Sequence, residues 1–199
     1  MLNTYVLADD ETAAPWGTEV AERVTAHNHQ HIVSVRLNPM IDGVNCTVVQ
    51  SDSVPSESPV GSEDNFYGNA FYAKKTPYKD TADGKSNYNH ETSRTWDLCS
   101  GSKTHPIAKK PTAFKIVNKE GVGLLAKPGS LVWKRAPFAR HGLWVTPYND
   151  THLYPAGHFV PQTSGDKTVG NDNILDWSAP GQNIENTDVL VWANLGISL

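Results

Sequence analysis

The chain has 199 residues, with 17 Lys and Arg against 21 Asp and Glu and a formal net charge of −4. That balance offers no basic field to nucleic acid or to an anionic membrane surface, so neither partner is expected. A hydrophobic fraction of 38% with six Trp, seven Tyr and five Phe is enough for a packed interior, no run of eighteen apolar residues predicts a membrane helix, and residues 1–5 lack the pattern of a signal peptide.

Residues 2–7 read as a short β run, and Asp9-Asp10-Glu11 with Pro15-Trp16-Gly17 as a loop containing a turn. A strand is expected over 27–37, where Val and Ile alternate with polar residues, and Asn38-Pro39 ends it because proline donates nothing to a ladder. Asp42-Gly43 signals a tight turn before Cys46-Thr47-Val48-Val49, so the two strands are expected to form a hairpin. Residues 50–64, rich in Ser, Pro, Asp and Glu, read as exposed loop. An aromatic strand is expected over 66–72 and one strand within 74–110, around residues 94–98. Three more follow over 113–117, 130–134 and 142–146, each bounded by Gly, Pro, Asn or Lys. No helical period extends over ten residues. Short strands with such punctuation predict an all-β chain, an antiparallel sandwich or barrel. Cys46 and Cys99 are read as free thiols rather than one bridge. Asn45-Cys46-Thr47 and Asn149-Asp150-Thr151 fit the glycosylation acceptor triplet, a weak signal in a chain rich in Asn and Thr.

The chemistry centres on His27-Asn28-His29-Gln30-His31. On one strand all three imidazoles project to the same face, and two neutral imidazoles separated by one residue share a borderline ion such as copper, zinc, iron or nickel, copper standing highest for a given ligand set. The bland alternative is a row of solvated histidines. For His141, His152 and His158 solvated loop or strand-edge positions are the better reading. Asp9, Asp10 and Asp42, beside turns, are read as solvated rather than catalytic.

The stretch from Leu2 to Arg36, with Pro15-Trp16-Gly17-Thr18 and the His29-Gln30-His31 triplet, resembles the catalytic domain of copper amine oxidases. Leu143-Trp144-Val145-Thr146-Pro147-Tyr148, Leu153-Tyr154-Pro155-Ala156-Gly157, Pro161-Gln162 and Asn186-Thr187-Asp188-Val189-Leu190-Val191-Trp192 resemble the same domain in the same order. The resemblance implies an antiparallel β-sandwich, of which residues 1–199 form a part. It also implies oxidation of a primary amine by oxygen to aldehyde, ammonia and hydrogen peroxide, with copper and topaquinone as cofactors. A homodimeric assembly follows from it as an expectation, while a cytoplasmic or peroxisomal setting is expected from the lack of a signal-peptide pattern and of a membrane-helix run in these residues.

By that resemblance His29 and His31 are two of three copper ligands, and the third aligns with Leu199, which cannot ligate. His27, by its spacing, is a candidate substitute. The tyrosine that becomes topaquinone and the general-base aspartate both precede the region matching Leu2, so this chain is expected to lack them. The family's peripheral calcium or manganese site maps to Asn38, Met40, Asp188 and the Val189 carbonyl. With Asn and Met where carboxylates often stand, it is read as weakened or lost. Two functional readings follow: a portion of an amine oxidase supplying two copper histidines, or a truncated, non-catalytic homologue that binds copper weakly or not at all. A third, a cupin-like barrel oxygenase, fits the β character but lacks the spaced glutamate and glycine pattern and ranks last.

Overall fold

The computed structural model describes residues 4–6, 15–117, 121–160 and 172–199. Among them β1 (Thr4–Val6), β2 (Gly17–Ala21) and β3 (Val24–His27) form a small antiparallel sheet with β3 in the middle. A second sheet takes β4 (Gln30–Leu37), β11 (Val189–Ser198), β10 (Leu143–Pro147) and β7 (Lys85–Ser86) in that spatial order. The third takes β6 (Phe71–Pro77), β5 (Cys46–Pro55), β8 (Thr95–Thr104) and β9 (Pro111–Ile116).

The two four-stranded sheets share one core, which makes the chain the antiparallel β-sandwich expected of it. Cys46, Val48, Trp96 and Leu98 point in from one sheet and Leu143, Val145, Val189 and Val191 from the other. The period of two that puts alternate residues on one face thus supplies both walls. On the far side of β10 and β11, Trp144, Leu190 and Trp192 pack against Ile174 and Trp177 of α2 (Ile174–Trp177). Both faces of β11 are therefore covered over 189–193, which explains its unbroken apolar run; each large side chain buried this way is worth about 1.5–3 kcal/mol.

Several local expectations are corrected. The turn at Asp42 and Gly43 exists, with φ of 54° and 134°, but it joins different sheets: β4 pairs with β11, and β5 with β6 and β8. Turn chemistry fixes a reversal, not the partner of the strands on either side. Residues 50–55 are strand, not loop, with Ser51 and Asp52 buried. Burial alone pushes the Asp52 carboxyl up, but hydrogen bonds from Arg94, Thr92 and Gln50 outweigh it and hold its pKa below the ordinary value.

The strand expected over 66–72 begins only at Phe71. Before it Asn65 ties a compact turn, its carbonyl accepting from Gly61 and Gly68 and its amide joining Ser58 and Ala70. Residues 74–110 hold β7 and β8 as well as the end of β6. Residues 130–134 belong to α1 (Leu131–Arg135) instead of a strand, because the Ser130 hydroxyl caps the Trp133 N–H at 3.2 Å. Cys46 and Cys99 are free thiols on adjacent strands. The register sets Thr47 against Cys99 and Cys46 against Ser100, so the two side chains leave opposite faces. Burial, with Cys99 nearby, pushes the Cys46 thiol up to about 12.

Candidate metal centre

The histidine segment is two strands, not one. β3 ends at His27, the Asn28 N–H turns to the Trp16 carbonyl at 2.8 Å, and β4 then pairs with β11. His29 N–H donates to the Leu199 carbonyl at 2.9 Å and Leu199 N–H to the His29 carbonyl at 2.8 Å, which extends the ladder beyond its regular part. His29 therefore lies opposite Leu199, and His31 opposite Ile197. Directly opposed residues of an antiparallel pair share a face, so both imidazoles stand on one side with Leu199 and Ile197.

Two contacts order this pair. His29 Nδ1 lies 2.8 Å from the His27 carbonyl oxygen. A carbonyl only accepts, so the proton sits on Nδ1 and Nε2 keeps its lone pair. That Nε2 is 3.1 Å from His31 Nε2, the rings meeting edge to face at 75°. For metal–nitrogen bonds of about 2.0–2.1 Å, two ligands on one ion stand about 2.9 Å apart at a right angle and about 3.3 Å apart at the tetrahedral angle. The observed spacing falls between these, so the two nitrogens fit one borderline ion with little movement.

Gln30 points to the opposite face and fastens the strand there. Its Nε2 donates to the Gly123 carbonyl at 2.9 Å and to Ser198 Oγ at 3.1 Å, while Leu125 N–H donates to its Oε1 at 2.8 Å. Beside it opens a groove of about 550 Å³ lined by Ile32, Leu124, Leu125, Val132 and Phe138. Sequence reasoning assigned Gln30 no role, although a polar residue at the alternate strand position was its visible signal.

The other candidates fall outside the pair. His27 belongs to another sheet, and it is its main-chain carbonyl that meets His29; among the described residues no three His, Cys, Asp or Glu side chains converge as a metal site. His141 and His152 are packed, not solvated. His141 lies edge-on to Trp144 at 4.7 Å and His152 stacks on Trp177 at 4.1 Å and 10°, each with a buried Nδ1 lacking a hydrogen-bond partner. Burial lowers the pKa of both, helped at His141 by Lys85 and Arg140; at His152 Asp172 opposes the shift and Arg36 adds to it. His158 is exposed beside Tyr154, and Asp42 is exposed on its turn. Asp9, Asp10 and the Pro161-Gln162 pair lie outside the described residues. Asn38 Nδ2 reaches Asp188 Oδ1 at 2.8 Å and the Val189 carbonyl at 3.0 Å, while Met40 is 66% exposed.

Comparison with known proteins gives a consistent result. The family model for the copper amine oxidase enzyme domain matches residues 1–198. Copper amine oxidase 1 of Schizosaccharomyces pombe is 46% identical over 200 residues, and the peroxisomal primary amine oxidase of Pichia angusta 47% over 199. Each match covers 100% of this chain and 28% of the relative, so the chain spans under a third of their length. The crystal structure of a copper-containing benzylamine oxidase from Hansenula polymorpha superposes with a TM-score of 0.87 at 35% identity, over 100% of this chain and 30% of that one.

Proposed function

The chain belongs to the copper amine oxidase family, and on that premise we propose that it supplies the copper-holding strands of a primary-amine oxidase, His29 and His31 being the ligands through Nε2. The observation that carries this is the 3.1 Å approach of two Nε2 atoms, the His27 carbonyl holding the His29 proton on Nδ1 so that its Nε2 keeps a lone pair. Copper held there supplies the redox chemistry by which such an oxidase forms its topaquinone from a tyrosine and returns electrons to oxygen. The chain's own part is to hold the metal. The His27 carbonyl fixes the His29 tautomer, Gln30 anchors the strand from behind, and Leu199 and Ile197 wall the imidazoles with apolar surface.

The overall reaction converts a primary amine, oxygen and water to aldehyde, ammonia and hydrogen peroxide. The resemblance puts the tyrosine and the general-base aspartate ahead of the stretch matched by Leu2, so these 199 residues on their own are proposed to be inactive. The homodimer is likewise proposed from the family, and a peroxisomal setting from the name of the Pichia angusta relative.

A second reading, a non-catalytic homologue, is favoured by the leucine opposite His29. Calorimetric titration with Cu(II) tests the metal assignment. The change His29→Ala with His31→Ala abolishes binding, whereas His152→Ala or His158→Ala leaves it almost unchanged. A double variant that binds as tightly as the parent overturns it. Incubation with Cu(II) and oxygen is expected to yield no phenylhydrazine-reactive quinone and no amine oxidation.

A further inference from the structure

The β4–β11 ladder ends where Pro39 follows Asn38. His29 and Leu199 exchange both N–H···O bonds, so alternate pairs along the ladder, through Leu37 and Val191, are of the hydrogen-bonded kind. Continued by two residues, this register sets Pro39 against Val189, whose carbonyl there requires an N–H that proline lacks. The Asn38 side chain supplies it, with Nδ2 3.0 Å from the Val189 oxygen and 2.8 Å from Asp188 Oδ1. Both neighbours only accept, so the amide end facing them is the NH2, one hydrogen for each oxygen. These two oxygens are the ones that the family resemblance assigns to a peripheral calcium or manganese.

The residues fit that ion poorly: Asp188 brings the one carboxylate and Val189 a carbonyl, the neutral Asn38 amide faces both through its NH2, and Met40, 66% exposed, offers no oxygen from its side chain. We infer that in this chain the Asn38 amide replaces the peripheral cation, closing the junction of β4 and β11 with hydrogen bonds and making it independent of metal. The inference does not depend on copper binding at His29 and His31.

The test uses the full chain carrying His29→Ala and His31→Ala, so that the imidazole pair contributes nothing. Asn38→Asp brings a second carboxylate beside Asp188, and hard divalent ions tighten with carboxylate count. Its melting temperature is expected to fall in EDTA and to be restored by millimolar calcium or manganese. Manganese titrated by electron paramagnetic resonance should bind it at least ~10-fold more tightly than the Asn38 chain. The Asn38 chain should melt identically with and without these ions. Asn38→Leu, which removes the donor and adds no charge, should melt lower in both conditions, a readout that survives if Asn38→Asp does not fold. The inference is overturned if the Asn38 chain is itself stabilised by calcium or manganese, if folded Asn38→Asp shows no cation dependence, or if Asn38→Leu melts like its parent.

Discussion

Replacing Leu199 by histidine would put a third imidazole directly across the ladder from His29, at a Cα separation of about 5.5 Å on the same face. An added ligand should contribute no less than an outer partner of a ligand, whose loss typically costs about 10- to 100-fold in metal affinity. We therefore expect Leu199→His to tighten Cu(II) binding by at least ~10-fold in calorimetry, and an unchanged affinity would show that the face is not the metal's. The packed histidines make a separate prediction. His152 has its pKa lowered from 6.5, chiefly by burial, so below that value the unfolded chain takes up a proton that the folded chain resists. The associated stability is full above pH 6.5 and is lost as pH falls through the lower folded-state pKa. Melting temperature should thus drop on acidification from neutrality. His152→Phe, which keeps a ring on Trp177, should flatten that drop, and a parallel curve for the variant would refute the assignment. Nothing in the local sequence marks His152 as packed, because the indole that covers it, Trp177, comes from a distant helix, whereas the indole beside His141, Trp144, stands only three residues on.

At the scale of elements, β4 is where sequence and structure agree best, since period-two alternation predicts a strand that shows alternating exposure and brings His29 and His31 to one side. The same pattern could not show that Asn28 interrupts it, because the cause is a hydrogen bond to Trp16, in the turn that leads into β2. Residues 130–134 misled for the opposite reason: Leu, Val and Trp suit a strand, yet the Ser130 cap made a short helix of them. Gln30 joins β4 to the 123–125 segment through both ends of one amide, and the strand's hold on the imidazoles rests partly on that clamp. Gln30→Ala should weaken Cu(II) binding by roughly 10-fold, the loss typical of a supporting partner, and should speed amide exchange at Leu125. Gln30→Glu should do no better, because a carboxylate accepts from Leu125 but cannot donate to Gly123. Wild-type affinity in both variants would remove Gln30 from the metal's support.

For the molecule as a whole, the sandwich was legible from its short punctuated strands, but the extent to which its sheets overlap was not. The core covers both faces of β11 only to its middle. Beyond that, Val33 is 62% exposed, Ile197 50% and Leu199 61%, and together with Val35 and Leu195 they continue the core face of β4 and β11 into solvent. Along β4 Val33 and Val35 are exposed, with His31, while Ser34 and Arg36 are half-buried, the reverse of a strand made to face water. Contiguous apolar surface of this kind promotes association, and among the described residues β4 is also the edge strand of its sheet. The 199-residue chain is therefore expected to self-associate, its apparent mass in size-exclusion chromatography with light scattering rising with concentration. Val33 and Ile197 lie on one face with adjacent registers, so Val33→Lys with Ile197→Lys charges the patch without entering the core. That double variant should shift the chain toward monomer and, as surface changes usually do, alter stability by no more than about 0.5 kcal/mol per site. A parent chain that stays monomeric at every concentration, or a charged variant that associates as strongly, would show that this face does not drive association.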